Sequence, residues 1–217
     1  MTNYKNNIKT LKAANEYRFK ENGSLFITIC EPILTEEEAI GFLSKIKRQY
    51  YDATHHCYSY ITQNGSFKFS DDGEPSGTAG KRIYNAQNHF DVTNLITIVI
   101  RYFGGTKLGV GLLGKAYYNS AFQCLSNSIF EEKELYNRIT ITYDFAFSKT
   151  VHHFVTKYRL IISKTDFDTK PKMICFIRPA LYKTFSNELL CAAQNKLQIQ
   201  ISDEFAYLPH ISNVEFT

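Results

Sequence analysis

The stretch that decides the fold is FSDDGEPSGTAGK at residues 69–81, followed by RYFGGTKLGVGLLGKAYY at residues 101–118. Eight of the eleven glycines lie between residues 69 and 118. Glycine is favoured where the backbone needs a positive φ or must approach another group without a Cβ. Charged side chains accompany these glycines, so the stretch predicts two shaped polar loops that would form the functional site: the acidic loop, residues 70–80, and the glycine loop, residues 104–111.

Length and composition indicate a folded, mildly basic protein. The chain has 217 residues, of which 44% are hydrophobic and 15% aromatic, and its formal net charge is +4. These values suit one large domain or two small ones and exclude wholesale disorder. The charge permits an RNA partner, but it lacks the strong bias of a dedicated DNA-binding protein.

The cysteines and the N-terminal segment lead us to expect a cytoplasmic protein. The five cysteines are scattered and form no CxxC pair, so they are interpreted as buried thiols rather than disulfides or zinc ligands. The N-terminal residues lack the apolar segment of a signal peptide, and no run approaches the roughly eighteen apolar residues of a membrane span. No membrane partner is expected.

The hydrophobic periodicity of the N-terminal half predicts the element order β-β-α-β-α-β-α. We expect an α+β sandwich, with the helices on one side of a mostly antiparallel sheet. The predicted elements are two strands within residues 8–31 around a turn at 21–23, a helix after the capping box at 35–38, a strand at 55–62, a loop at 66–77, a helix from 78 to about 88, a strand at 95–103 and a helix ending near 129.

The C-terminal half predicts a second domain of order β-α-β-β-α-β, the ferredoxin-like arrangement. The domains would be residues 1–132 and 136–217, joined by a charged linker at residues 131–134. The predicted elements are a strand at 138–147, a helix capped by Ser148, strands at 159–165 and 172–178, a helix from Pro179 and a strand at 197–205.

GVGLLG at residues 109–114 satisfies the GxGxxG pattern, follows a predicted strand and opens a predicted helix. The same window spells GxxxxGK, but Ala116 stands where a phosphate-binding loop needs Ser or Thr. A dinucleotide site would also need a tighter turn and a later strand that ends in an acidic residue. Glycines that shape a helix entry are the favoured interpretation, although free N–H groups near Lys107 and Lys115 could hold a phosphate.

Two further clusters could carry chemistry. Three carboxylates in SDDGEP are compatible with acid–base or metal chemistry, but Asp-Asp-Gly and Glu-Pro are also common in turns, and the spaced oxygens of a calcium loop are missing. On a strand, His55 and Cys57 face one side and His56 the other, so the three cannot converge on one metal ion. We therefore expect no metal, no cofactor and no catalytic residue.

Aromatic and basic side chains alternate in a pattern that single-stranded RNA binders also show. Core packing is the more common reason for aromatics in a β-rich protein. The side chains concerned are Tyr84, Arg101, Tyr102, Phe103, Tyr117 and Tyr118.

The segments FSDDGEPSGTAGK, IVIRYFGGTKLGVG and KAYYNSA, with His55-His56-Cys57, resemble the YigZ/IMPACT family. The resemblance covers about residues 16–125. It implies an N-terminal domain of the small-subunit ribosomal-protein type and a ferredoxin-like second domain, a pairing similar to the last two domains of elongation factor G. The sequence departs from the family pattern at Leu25, Thr54, Leu112 and Gly114.

The resemblance implies no established chemistry, and it implies binding to nucleic acid, the ribosome or regulatory proteins. We expect a non-enzymatic protein that binds RNA, the ribosome or a translation factor, with the regulation of translation as a candidate role. The alternative is a small-molecule- or phosphate-ligand-binding protein, or an enzyme, that uses the acidic loop and the glycine-rich helix entry. The resemblance and the loop chemistry together predict a binding surface made of His55, His56, Cys57, Asp71, Asp72, Gly73, Glu74, Pro75, Thr78, Gly80, Lys81, Arg82, Arg101, Tyr102, Gly104, Gly105, Lys107, Gly109 and Lys115.

Overall fold

The apolar runs of the sequence form two sheets and five α-helices in a computed structural model that describes residues 5–167 and 169–209. This is an α+β fold. The strands are β1 (Asn7–Leu11), β2 (Asn15–Glu21), β3 (Ser24–Pro32), β4 (His55–Ile61), β5 (Phe67–Ser70), β6 (Leu95–Tyr102), β7 (Phe130–Thr142), β8 (Ile161–Asp166), β9 (Lys172–Ile177) and β10 (Gln198–Pro209). The helices are α1 (Glu36–Gln49), α2 (Gly80–His89), α3 (Gly109–Ser126), α4 (Ser148–Lys157) and α5 (Pro179–Ala192).

The described residues divide into two compact units. The first covers residues 8–132, and the second covers residues 5–7 together with the described residues from 133 onward. Within the described ranges, no helix is long and apolar enough to cross a membrane.

The first unit is built on an antiparallel sheet of order β2-β3-β6-β4-β5. The β-branched strand β6 lies at its centre, as predicted, and its first seven residues are buried. Both sheet faces are covered, because α2 and α3 pack against Val99 on one face, whereas α1 packs against Ile98 on the other. The expectation that the helices lie on one side of the sheet is therefore wrong.

The turn and the helix cap predicted near the start of the first unit are confirmed, whereas the two strands expected within residues 8–31 are three, β1, β2 and β3. Asn22 and Gly23 have φ values of 45° and 82° and form the turn between β2 and β3. Thr35 caps α1, because its hydroxyl accepts a hydrogen bond from the Glu38 N–H at 3.2 Å. The Glu38 carboxylate accepts from the Leu34 N–H at 2.6 Å and so completes a reciprocal cap.

The loop predicted from residue 66 is wrong in its first part, because Phe67–Ser70 forms the edge strand β5. This strand is only four residues long, and it pairs with β4 after the turn at Gly65. Both Phe67 and Phe69 are exposed, so the segment lacks the buried apolar face that usually signals a strand.

The second unit places α4 and α5 on a sheet in which β7, β8, β9 and β10 run in the order β10-β7-β9-β8. Its core contains Ile139 and Cys175 from the sheet and Phe185 from α5. Three sequence predictions are wrong here. The expected linker at residues 131–134 lies within β7, this strand ends at Thr142 rather than 147, and Ser148 is the first residue of α4 rather than its cap.

Candidate functional site

The acidic loop closes over a buried ion pair between Glu74 and Arg101. Nη1 of Arg101 donates to Oε1 of Glu74 at 2.7 Å, and the two side chains are 6% and 4% exposed. The Tyr117 hydroxyl donates to the same carboxylate oxygen at 2.8 Å, and Nη2 of Arg101 donates to Oγ of Ser24 at 3.2 Å. A buried charge is tolerated when it is paired and hydrogen-bonded in this way, so the pair fixes the loop to β6 and α3.

Asp71 organises the acidic loop by accepting three backbone hydrogen bonds. Its carboxylate accepts from the N–H groups of Gly77, Ala79 and Gly80 at 2.8–2.9 Å. Helix α2 begins at Gly80 and its N-cap residue, Ala79, has no side-chain acceptor, so Asp71 satisfies N–H groups at the helix start instead. This carboxylate therefore has a structural role.

Asp72 links the acidic loop to β4 and α1. Its carboxylate accepts from Nζ of Lys47 at 2.8 Å and from the His56 N–H at 2.7 Å, while its carbonyl accepts from Nδ1 of His55 at 2.8 Å. Burial alone would raise the pKa of Asp72, but the hydrogen bonds from Lys47 and His56 outweigh it and the pKa is lowered. Its φ of 44° is part of the same tight turn.

The side chains of the His-His-Cys segment alternate as strand geometry predicts. His55 points to the acidic loop, whereas Nε2 of His56 donates to the carbonyl of Tyr50 on the other side at 3.0 Å. Burial lowers the pKa of His56. Cys57 is fully buried and its thiol donates to the Asp71 carbonyl at 3.0 Å.

These groups are not arranged for catalysis by a nucleophile and a base. Burial is the main reason that the pKa of the Cys57 thiol is raised, so the thiolate that would react is disfavoured. Nε2 of His55 lies 3.8 Å from Oε1 of Glu74, beyond a hydrogen bond, and that carboxylate is already held by Arg101. In the part of the chain that the structure describes, no three His, Cys, Asp or Glu side chains group as metal ligands.

The thiols give a direct test of this arrangement. We expect native protein treated with iodoacetamide at pH 8 to be alkylated at Cys191, which is exposed, while the buried Cys57 stays unmodified. Peptide mass spectrometry after a short reaction reads both sites, and a sample unfolded in guanidinium serves as the control for full reactivity. Alkylation of Cys57 at the rate of Cys191 would contradict a buried, inert thiol.

The glycine loop passes against the turn between β2 and β3. A Cβ on Gly104 would lie 1.9 Å from the Gly23 carbonyl carbon, and a Cβ on Gly23 would lie 2.9 Å from the Gly104 oxygen. The Gly104 N–H donates to Oγ of Ser24 at 3.3 Å, so the loop joins the network of the buried ion pair. The predicted requirement for glycine is confirmed here as a close approach of two backbones.

A groove of about 360 Å³ lies between α2 and α3. A Cβ on Gly114 would lie 3.1 Å from Nε of Arg82, so glycine at this position makes room for the guanidinium. Helix α3 begins at Gly109 and has no side-chain cap, which leaves its first N–H groups without a capping acceptor. The groove is lined by Arg82, Asn85, Gly111, Gly114, Lys115 and Tyr118.

The groove lies on a basic surface. Helices α2 and α3 contain Lys81, Arg82 and Lys115 and no Asp or Glu, and Lys107 precedes α3. Between residues 75 and 130 the only acidic residue is Asp91. Within the described ranges, none of these four cations forms an ion pair, although the structure has such pairs elsewhere. Their charge is therefore available to an anion.

The nineteen predicted binding residues differ in their exposure to solvent. Six are buried and do not form an accessible surface, which corrects their assignment as contact residues: His56, Cys57, Glu74, Thr78, Gly80 and Arg101. Four are half-buried: His55, Asp71, Asp72 and Tyr102. Nine are exposed: Gly73, Pro75, Lys81, Arg82, Gly104, Gly105, Lys107, Gly109 and Lys115.

Several side chains at this site were missed by the sequence prediction. Ser24 accepts from Arg101 in the buried network, and Lys47 pairs with Asp72 at the surface; no local motif marks either residue. Phe67 and Phe69 lie on β5 against Tyr84 of α2, with ring centroids 4.7 Å and 5.9 Å from the Tyr84 ring. We call these three residues the aromatic ledge; the alternation Phe-Lys-Phe was the signal that could have identified it.

Comparison with known proteins gives consistent matches along the chain. A family model described as the Impact N-terminal domain matches residues 22–125. An IMPACT family member from Haemophilus influenzae is 31% identical over 194 residues, covering 88% of this chain and 94% of the relative. The IMPACT family member YvyE from Bacillus subtilis is 28% identical, covering 94% of each chain. A crystal structure titled as a hypothetical protein has a TM-score of 0.70 and 25% identity, covering 92% of this chain and all of the other.

Proposed function

Because this chain belongs to the IMPACT family, whose names specify neither a ligand nor a reaction, we propose a function from the site itself: non-enzymatic binding of RNA. The observation that carries the proposal is the acid-free basic surface of α2 and α3, with the groove between them. We propose ribosomal RNA as the physiological ligand and the regulation of translation as the physiological role.

Electrostatics supports a phosphate backbone as the ligand. Arg82 and Lys115 approach the groove from two different helices, so two phosphates of one strand could be neutralised together. Binding would release the counterions condensed on those phosphates, which makes the affinity strongly dependent on salt. The uncapped N-terminus of α3 adds N–H donors and a favourable dipole beside Lys107.

The chemistry of the buried network supports binding rather than catalysis. Glu74, Asp71 and Cys57 are all committed to hydrogen bonds that hold the acidic loop. A general base or a nucleophile would need a free lone pair or a thiolate within reach of a substrate. The site thus resembles a scaffold that positions the basic surface.

We also propose a more specific fold for each of the two units. The order β10-β7-β9-β8, with α4 and α5 between the strands, supports a ferredoxin-like second unit. We propose that the first unit is of the ribosomal-protein type, as in the last domains of elongation factor G. We also propose a cytoplasmic location, since free thiols suit a reducing compartment.

The proposal predicts a salt-dependent affinity that relies on Arg82 and Lys115. For a 12-nucleotide RNA, the slope of log K against log salt should fall by about 1.4 in magnitude in R82E/K115E, because each lost cation removes roughly one phosphate contact and each contact on a single strand contributes about 0.7 to the slope. Fluorescence anisotropy over a salt series measures this slope. Both residues are exposed, so thermal unfolding should remain close to that of the natural protein.

Lys20 supplies a matched control for this experiment. It is exposed on β2, at the opposite edge of the same sheet from β5. K20E also replaces a cation by an anion, but at a position away from the groove. It should therefore change the slope of log K against log salt by much less than one unit. Equal effects of K20E and R82E/K115E, or no RNA binding at low salt, would contradict RNA binding in the groove.

A further inference from the structure

We infer that the RNA held by the α2–α3 surface is single-stranded and that its unpaired bases stack on the aromatic ledge of Phe67, Phe69 and Tyr84. The inference rests on the proposed RNA binding and adds the form of the ligand and a second contact surface. The groove would hold the phosphates, and the ledge would hold the bases.

The ledge is an exposed aromatic surface with its rings already in place. Phe67 and Phe69 are 53% and 39% exposed, although they belong to a strand. The Phe67 and Tyr84 rings are stacked with an interplanar angle of 20°, and the Phe69 ring is tilted by 34° from the same tyrosine. An exposed ring contributes little to the core. Core packing therefore does not explain why aromatic residues stand at these positions.

The ledge lies at an open edge of the sheet. Among the described strands, β5 pairs only with β4, so its other edge has no strand partner. A flat ring can accept any base on its face, which makes this kind of contact tolerant of base sequence. Bases within a duplex are stacked on each other and cannot make these contacts, which favours a single strand.

Helix α2 places the ledge and the groove side by side. Tyr84 lies one turn after Lys81, and it contacts β5. Arg82 and Asn85 have the same spacing, and they line the groove with α3. An α-helix is only about 10 Å across, so one strand of RNA can contact both of its sides.

Charge complementarity selects this occupant over an apolar segment of a protein. The helix beside the ledge carries Lys81 and Arg82 and no acidic residue. Lys68 does not add to this charge, because its side chain points to the other face of the sheet, where it lies 4.0 Å from Glu36 of α1. Aromatic rings interleaved with cations match the alternation of base and phosphate along a single strand.

The test compares single-stranded and duplex RNA of the same length. The natural protein should bind a 12-nucleotide oligouridine or oligoadenine more tightly than a 12-base-pair duplex. In F67L/F69L the single-strand affinity should fall by roughly 5- to 100-fold, because leucine keeps the apolar bulk but removes the stacking face. Duplex affinity should change less than twofold, and F67Y/F69Y should retain single-strand binding.

A control and the contrary outcomes separate this inference from the proposed function. Y51L removes another exposed aromatic ring of the first unit, just after α1, which packs on the opposite face of the sheet from α2, and should have no effect. The inference would be overturned if single-stranded and duplex RNA bound with equal affinity, or if F67L/F69L bound single strands like the natural protein. In either case R82E/K115E would still test RNA binding in the groove. Absence of RNA binding at low salt would overturn both.

Discussion

Replacing Glu74 by alanine is expected to lower the free energy of unfolding by about 3–5 kcal/mol, because it leaves the Arg101 guanidinium buried without its counter-charge. The carboxylate also accepts from the Tyr117 hydroxyl, which would lose its acceptor in the same variant. Nε of Arg101 is already without a partner among the described residues, so the guanidinium has no spare hydrogen bond to compensate. Urea unfolding followed by tyrosine fluorescence or circular dichroism measures the change.

Two variants make this result specific to the buried pair. E188A removes one member of the exposed pair between Glu188 and Lys157, and it should leave stability nearly unchanged, since exposed ion pairs contribute little. E74L/R101M replaces both buried partners by apolar side chains and should be more stable than E74A, because no charge remains uncompensated. An E74A variant as stable as the natural protein would mean that Arg101 is accessible to water.

The buried pair also shows where prediction from sequence reached its limit. Arg101 follows a run of β-branched residues and carries a charge, so the sequence indicated a surface cation. Its burial depends on Glu74 and Ser24, which lie 27 and 77 positions away in the chain. No local pattern contains this information, whereas the hydroxyl of Thr35 and the turn at Asn22 are satisfied within a few residues and were predicted correctly.

Element type was predicted best where burial and periodicity agree. Strand β6 has a buried β-branched run and α1 has an apolar stripe, so both were placed well. The sequence pattern does not predict β5, because the exposed phenylalanines of this strand pack into no core, and it predicts a linker at the start of β7, because the residues there are charged. In both cases the pairing with another strand outweighs the local composition.

The site has two layers that the sequence could not separate. The acidic loop, together with Arg101 and Cys57, forms a buried layer that fixes the start of α2 through Asp71. The outer layer carries Arg82 and Lys115 at the groove. The inner layer thus determines where the cations of the outer layer stand. Loss of the inner layer should therefore abolish the proposed RNA binding by disrupting the structure, not by removing contacts with RNA.

The other large effect is expected for Gly104→Ala, which should lower the free energy of unfolding by at least about 3 kcal/mol. A Cβ at this position would lie 1.9 Å from the carbonyl carbon of Gly23 and 2.4 Å from the nitrogen of Ser24. Both are backbone atoms, so no side-chain rotation can relieve the clash. The turn between β2 and β3 must move away from the glycine loop, which breaks the contacts of Ser24 with Gly104 and Arg101.

Gly41→Ala provides the matched comparison for this clash. Gly41 lies inside α1 and a Cβ there would meet nothing within 4 Å. Alanine is favoured over glycine within a helix by roughly 0.5–1 kcal/mol, so G41A should raise the unfolding free energy while G104A lowers it. Urea titration of the two variants gives both signs in one experiment. Equal stability of G104A and G41A would show that the two backbones are not in contact, and the requirement for glycine at position 104 would then need a different physical reason.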